Sequence, residues 1–565
     1  MKRILQQFFK YPWLTGHLVV ASFFIALLSL ATSLFVIQVL NRFISHGVTG
    51  TLITLVTGTL VAVVFEMMFR SLRRQLIATQ NASQNSVVAI KAFEVLLQAQ
   101  VTFLDRLSVG QRNEILRGVD TLRAATMPQN IAAILDVPFA LLFVFVLWLL
   151  SPSLALISVI AMVSSVILAW RMQLTTKEEA EKLQRMVAER SGILGAAVSA
   201  AETIRVFNGS FLLMKAWVNA DREVKSLRSR AANTRDYLQS KFGLVNSLQT
   251  VSIVSVGALQ VVSGELTIGA MIGANILAGR ALMPVSRVIQ MGEAFVAAEQ
   301  AEERLQDFIK LPLERLKGTA LGHYDGVVEF KDLAFVYPKV SVLLFESLNL
   351  RLESGKTALI VGPNGSGKTT LIRLLMGLIE PSRGQILVGG IDLKQIALPW
   401  WRKQVSYLPQ EPVLVTGTLK ENISLANPEI NDARLNEIIH MAALRPFLAN
   451  SSDGLTMEIS EGGRYLALGI RRRIALARAL ATNGNLFIAD EPTEGLDDEG
   501  RRAVYKVFQQ LRKEGKTIVV VSHDESFLQI ADFRIDLGEK PVPNVQPRKW
   551  ENSRSKDAVS EINKR

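Results

Sequence analysis

The sequence predicts a six-helix α transmembrane domain with long cytoplasmic helical extensions, fused to an α/β domain built on a phosphate loop. Three observations carry that reading. Apolar runs crowd the first half of the chain, a strand, glycine loop and helix follow one another in the second half, and 565 residues exceed a single domain.

A hydrocarbon core of ~30 Å takes about 20 mostly apolar residues per helix. Six stretches meet or approach that length: Leu18 to Leu40, Leu52 to Phe69, Ile131 to Leu150, Leu154 to Trp170, Phe242 to Val262 and Ile268 to Val285. The first is too long for a cleaved signal and lacks a small-residue cleavage site, so it is expected to stay as an anchor. Basic residues set the orientation. Lys2, Arg3 and Lys10 precede the first helix and Arg70, Arg73, Arg74 and Lys91 follow the second, whereas residues 41–50 hold only Arg42. Both long connections, about 71–130 and 171–241, are thereby placed in the cytoplasm. The outer turns are short, at Ser151-Pro152-Ser153 and Ser263 to Thr267.

The net charge of +12 does not call for nucleic acid, since the basic excess lies on cytoplasmic extensions and the polar tail beside a bilayer. The absence of cysteine excludes disulfides, thiolate metal sites and a cysteine nucleophile. Lys177 to Arg190 and Asp221 to Arg235 are charged and free of proline, and Phe103 to Arg123 has apolar residues at helical spacing. These segments are expected to prolong the membrane helices as stalks. Ala297 to Ile309 reads as an amphipathic helix closing a transmembrane domain of residues 1–310. Residues 311–325 read as a linker, 326–540 as a nucleotide-binding domain and 541–565 as a disordered polar tail.

The phosphate loop is Gly362-Pro363-Asn364-Gly365-Ser366-Gly367-Lys368-Thr369, followed by Thr370. It lies between the apolar strand Thr357 to Val361 and a helix-periodic run, the order the motif requires. Glycines let backbone N–H groups close on phosphates, Lys368 reaches the outer phosphates and Thr369 offers a hydroxyl to Mg²⁺. Leu486 to Glu491 is a buried-strand run ending in two acids. Asp490 suits metal organisation and Glu491 suits orienting or deprotonating the attacking water; an exposed strand end would also carry acids. His523 ends another apolar strand, Thr517 to Val521, where it contacts a terminal phosphate or serves structure alone. Tyr337 stacks on adenine or fills a core, and Gln410 follows the strand Val405 to Leu408.

Taken in order and spacing, Tyr337, the phosphate loop, Gln410, Asp490-Glu491, the turn Glu494-Gly495-Leu496-Asp497 and His523 resemble the nucleotide domain of ATP-binding-cassette (ABC) proteins. With six membrane helices ahead of it, the chain resembles a half-transporter of the exporter type over residues 10–540. The resemblance implies ATP and Mg²⁺ as ligands, with Thr369, Gln410 and Asp490 at the metal and Glu491 and His523 in catalysis. It also implies that two half-transporters pair head to tail, each ATP lying between one phosphate loop and the other chain's signature loop. ATP-driven closure would then turn the membrane halves outward.

Helix 6, Ile268 to Pro284, is similar to that of type I secretion ATPases, which export unfolded polypeptides. Leu135-Asp136-Val137-Pro138-Phe139 and Ala201-Glu202-Thr203-Ile204 agree. That likeness implies a bacterial inner-membrane protein with its N-terminus and nucleotide domain in the cytoplasm. It implies a periplasmic adaptor and an outer-membrane channel as partners, besides the exported polypeptide and the lipid bilayer, and no nucleic acid. About fifteen residues precede the first helix, so no peptidase-like domain and no leader cleavage are expected of this chain. A lipid, drug or small-molecule exporter would share every nucleotide motif, and an ATP-clamped regulatory membrane subunit is a further alternative. Glu66, Asp136 and Arg280 are ionisable residues in or near apolar helices and are candidates for the translocation pathway, Arg280 first, or else pair with a neighbouring helix. Gly273 and Gly279 are expected to allow close helix packing.

One motif departs from the family pattern. Where the signature L-S-G-G-Q is expected, the chain reads Leu466-Ala467-Leu468-Gly469-Ile470. Ala467 cannot donate to a phosphate and Leu468 adds bulk. Losing a hydrogen bond to a charged group costs ~1.5–3 kcal/mol. Beside an intact Lys368 and Glu491, this mismatch suggests a heterodimer whose partner supplies the better loop; a tolerated variant in a slow homodimer is the plainer reading.

Overall fold

The structure is a computed structural model and describes residues 12–45, 47, 49–337 and 342–548. Lys2, Arg3 and Lys10 and the last part of the expected tail, residues 549–565, lie outside the described residues. The chain divides into two compact units, meeting in sequence near Pro312.

The first unit is helical. Among the described residues, six helices are long and apolar enough to cross a membrane, over Pro12–Ile44, Thr49–Thr79, Pro128–Leu150, Pro152–Arg171, Ser210–Val262 and Ile268–Ile309. Each contains one of the expected spans. The second continues unbroken from Thr49 to Gln98. At 1.5 Å per residue its 50 residues run to about 75 Å, more than twice the hydrocarbon thickness. Pro152–Ser199 and Ser210–Val262 are likewise continuous, so the charged connections are stalks. The stretch from Phe103 is interrupted. It restarts at Val109, where Ser108 and Gln111 form a capping box that satisfies two helix-end N–H groups.

The short turns hold. Ser151 caps the helix that begins at Pro152, and Thr267 caps the one that begins at Ile268. Helix 3 is broken at Val137–Phe139, between Pro128–Asp136 and Ala140–Leu150. A Cβ on Gly273 would collide with Ile37 of helix 1, whereas nothing lies within 4 Å of one on Gly279. Close packing therefore explains Gly273 and not Gly279. The amphipathic helix runs Gly292–Ile309, longer than expected, and buries Val296, Ala298, Ala301, Leu305 and Phe308. Leu305 and Ala298 pack with Val119, Leu122 and Ala125.

Of the three intramembrane candidates, Glu66 and Asp136 are ion-paired. Glu66 accepts two bonds from Arg70, one turn along the same helix. Arg73 donates to both carboxylate oxygens of Asp136 and, at 2.8 Å, to Ser22 Oγ, which joins helices 1, 2 and 3. Only 4% of the Arg73 side chain and 21% of Asp136 are exposed. Removing one partner of such a pair strands the other charge. Asp136→Leu should therefore lower stability by about 3 kcal/mol, the low end for a buried pair because Asp136 is partly exposed. Melting of the detergent-solubilised protein checks this, with the double variant Arg73→Leu, Asp136→Leu recovering most of the loss.

The second unit is α/β. Four antiparallel strands form one sheet in the order β2-β1-β4-β5: β1 Val328–Phe335, β2 Phe345–Leu352, β4 Arg383–Val388 and β5 Ile391–Asp392. The second sheet has six strands in the order β10-β9-β3-β8-β7-β6. They are β3 Thr357–Val361, β6 Val405–Leu408, β7 Leu486–Asp490, β8 Thr517–Val521, β9 Phe533–Asp536 and β10 Asn544–Pro547. Strands β7 and β8 are buried along their whole length, as the central strands of a parallel sheet covered on both faces must be.

One boundary differs from expectation. Residues 544–547 are not tail: β10 pairs antiparallel with β9, Phe533 opposite Pro547 and Asp536 opposite Asn544. The open edge of β9 recruits this polar segment through its backbone, which composition does not reveal. The stretch 311–325 has no helix or strand of its own, yet it is anchored. Thr319 N donates to Gln395 O at 2.8 Å, and Tyr324 is buried edge-on against Trp401.

Candidate functional site: a nucleotide cradle and an altered signature loop

Ligands of open parallel sheets sit beyond the carboxyl ends of the strands. Here β3, β8 and β7 lie side by side, with Ile360 opposite Val521 and Val521 opposite Asp490. The segments that leave these ends bring Gly362, His523 and Glu491 to one edge. A cavity of ≈ 500 Å³ opens there, within the size range of small-molecule sites, and its lining includes Tyr337, Lys368, Thr369, Gln410, Asp490 and Glu491.

The loop is shaped by its glycines. Gly362, Gly365 and Gly367 have φ of 146°, 80° and 108°, a region that side chains other than glycine's avoid. A Cβ at Gly367 would lie 2.7 Å from Leu344 Cδ2. Asn364, Gly365 and Gly367 line the cavity, and the helix Lys368–Leu375 begins directly below. Lys368 Nζ donates to Gly362 O at 2.7 Å and lies 3.3 Å from His523 Nε2. Thr369 Oγ1 donates to Asp490 Oδ2 at 3.1 Å, which sets a hydroxyl and a carboxylate together as hard oxygen ligands would be. Ser366 Oγ is buried with no hydrogen-bond partner among the described residues. Tyr337 OH meets Thr370 Oγ1 at 2.8 Å while its ring stays partly exposed at the cavity rim. These residues fit a nucleoside triphosphate with a divalent cation.

Burial pushes the carboxyl groups of Asp490 and Glu491 up from their ordinary values. Glu491 is held at φ 47°, a strained position for a non-glycine residue. The backbone N–H of His523 donates to its Oε2 at 3.3 Å, while Oε1 lies 3.5 Å from His523 Nε2 and is buried without a hydrogen bond among the described residues. An acceptor left open beside Lys368 and His523 is placed to take a proton from water.

The altered loop starts a different helix, Leu468–Thr482. Ala467 is its N-cap and supplies no side-chain hydrogen bond. Leu466 is buried, Ile470 packs on the core, and Leu468 is 39% exposed at the helix start. The surface offered there is apolar. Ser at 467 would cap the helix as well as add a donor, so Ala467→Ser is expected to stabilise the protein by ~1 kcal/mol without nucleotide, read as a higher melting temperature.

The sequence reading missed Arg472. It sits in a run of three arginines, and its two neighbours did not mark it out. Arg472 is buried and bonds Glu494, while Arg473 bonds Asp497. The structure leaves Arg280 half-buried in the helical unit, donating to Ser29 O and to Thr32 Oγ1 of helix 1.

Six spans followed by this cradle define an ATP-driven membrane transporter. The chain is an ABC transporter: residues 16–285 match the ABC transporter transmembrane region and residues 345–494 match the ABC transporter family model. It is similar to the exotoxin translocation ATP-binding protein PaxB of Pasteurella aerogenes, 28% identical over 545 residues, covering 94% of this chain and 74% of that one. It is 29% identical over 542 residues to the alpha-hemolysin translocation ATP-binding protein HlyB of Escherichia coli, covering 94% and 75%. A bacterial Atm1-family ABC exporter solved with ATP bound has the same fold, at TM-score 0.82 and 19% identity, covering 96% of this chain and 97% of that one. The chain is thus a multi-pass ABC exporter that binds ATP and, by family membership, couples its hydrolysis to transport.

Proposed function

We propose that this exporter moves an unfolded polypeptide across a bacterial inner membrane as one half of a heterodimer in a type I secretion system. The observation that supports the cargo class is similarity to toxin translocators along 94% of the chain, rather than over the nucleotide domain alone. Helix 6 and the Val137–Phe139 break in helix 3 add to it. The periplasmic adaptor and outer-membrane channel follow from the same reading, as does the cytoplasmic placement of the stalks.

In this reading Lys368 and the loop N–H groups hold the phosphates, Thr369, Asp490 and Gln410 hold Mg²⁺, and Tyr337 faces the base. The cation, when bound, neutralises charge on the phosphates. Glu491 orients and deprotonates water, and His523 keeps Glu491 in place through its backbone N–H, with its imidazole Nε2 3.5 Å from Glu491 Oε1. The pairing of an intact Glu491 with Ala467 and Leu468 supports the heterodimer. This chain's cradle meets a better loop on its partner and turns over, while the partner's cradle meets the altered loop and holds ATP. Arg280 contributes positive charge to the pathway from its anchorage on helix 1.

Comparing proteins secreted by cells with the chain, without it and with Lys368→Ala tests the cargo. Loss of one or a few secreted polypeptides in both defective strains is expected. Unchanged secretion with altered lipid or drug efflux would replace the polypeptide by a small molecule, a reading that the shared fold with the Atm1-family exporter accommodates.

A further inference from the structure

A single carboxylate oxygen in the nucleotide domain serves two groups from different half-sites. Glu494 Oε2 accepts from Gln410 Nε2 at 3.0 Å and from Arg472 Nη2 at 3.4 Å. Gln410 lines the nucleotide cavity. Arg472 lies two residues beyond Ile470, on the helix that carries the altered loop.

The two partners hold Glu494 unequally. Its side chain is 55% exposed, whereas that of Arg472 is 8% exposed. Arg472 Nε and Nη1 are buried with no other partner among the described residues, so Glu494 is the group that answers this cation. A buried guanidinium left with one carboxylate within reach favours keeping that carboxylate beside it, here at 3.4 Å. Gly495, at φ 63°, lets the turn lie close. A Cβ there would sit 3.1 Å from Arg472 Nη1 and 3.4 Å from Leu468 Cδ2.

The contact with Gln410 has a chemical direction. Only the amide NH₂ can face a carboxylate, so Glu494 dictates that the other end of the amide, Oε1, is left for the cavity. Hard divalent cations take carbonyl and carboxylate oxygens, and groups behind a ligand that fix its orientation tune metal affinity. We propose that Glu494, anchored by Arg472, is a positioning residue that presents Gln410 Oε1 to the divalent cation of the bound nucleotide and ties that cation to the helix of the altered loop. This rests on the cavity being a Mg²⁺–nucleotide site.

Mn²⁺, followed by paramagnetic resonance on the full-length chain with ATP, reports the cation directly. A fluorescent ATP analogue in excess chelator reports nucleotide binding without metal. Glu494→Ala should weaken Mn²⁺ about tenfold and leave metal-free nucleotide affinity unchanged. Glu494→Gln, which still offers an oxygen to the amide, should recover part of the loss. Arg472→Met should weaken Mn²⁺ less than Glu494→Ala does. Adding Glu494→Ala to Gln410→Ala should cause no further loss. Unchanged Mn²⁺ affinity in Glu494→Ala would overturn the proposal, as would equal loss of metal and metal-free nucleotide binding, which marks loosening of the turn alone. Failure of the unmodified chain to take up Mn²⁺ with ATP would sink the Mg²⁺–nucleotide reading itself, and the proposal with it.

Discussion

Replacing Glu491 with Gln is expected to lower ATP turnover by about a hundredfold or more, the usual contribution of a positioned general base, while nucleotide binding is retained. Gln keeps the volume of the side chain and an acceptor oxygen for the His523 N–H, now 3.3 Å from Glu491 Oε2. It removes the ability to take a proton. In the proposed reading binding is carried elsewhere, by Lys368 and the loop glycines, so the analogue affinity should change by less than threefold, within the weight of a surface ion pair. Lys368→Ala should do the reverse and abolish binding. The measurement is turnover and analogue binding on the same preparations, made with the chain alone and with a co-encoded half-transporter. Turnover unchanged by Glu491→Gln in the mixed dimer would move the base to another residue.

The parts of this protein most legible in sequence are those governed by one-dimensional rules. A membrane span is a matter of length and apolarity, and all six were readable with their turns at residues 151–153 and 263–267. The phosphate loop is readable because its glycines, Lys368 and Thr369 are contiguous. Asp490, Glu491 and His523 stand out because each ends or follows an apolar strand, and parallel pairing of β3, β8 and β7 gathers such ends. What stayed hidden depends on partners far apart in the chain. Asp136 shows an expensive charge in helix 3 but not that Arg73, 63 residues earlier, neutralises it. Arg472 is one of three arginines in a row, and only burial separates it from a solvated charge run. Asn544–Pro547 has a loop's composition and becomes a strand because β9 offers it an edge.

Rebuilding the signature loop has the second large expected effect. Ala467→Ser and Leu468→Gly together should raise turnover of the isolated chain roughly tenfold to hundredfold, the worth of one hydrogen bond to a charged group, if two copies can close on each other. The structure separates this gain from simple stabilisation. Ala467 is an N-cap, so Ser adds helix stability whether or not ATP is present. Leu468→Gly removes exposed bulk and costs helix propensity, so it should lower the melting temperature while clearing the surface against which a phosphate chain would lie. The two substitutions thus move stability in opposite directions and turnover in the same direction. If turnover follows melting temperature instead, the loop is not the limiting element. If the unmodified chain already turns over ATP rapidly alone and Glu491→Gln abolishes that activity, two copies suffice and the heterodimer is wrong. If the rebuilt chain gains activity alone and the unmodified chain gains it only when mixed, the altered loop is the reason this exporter needs an unlike half.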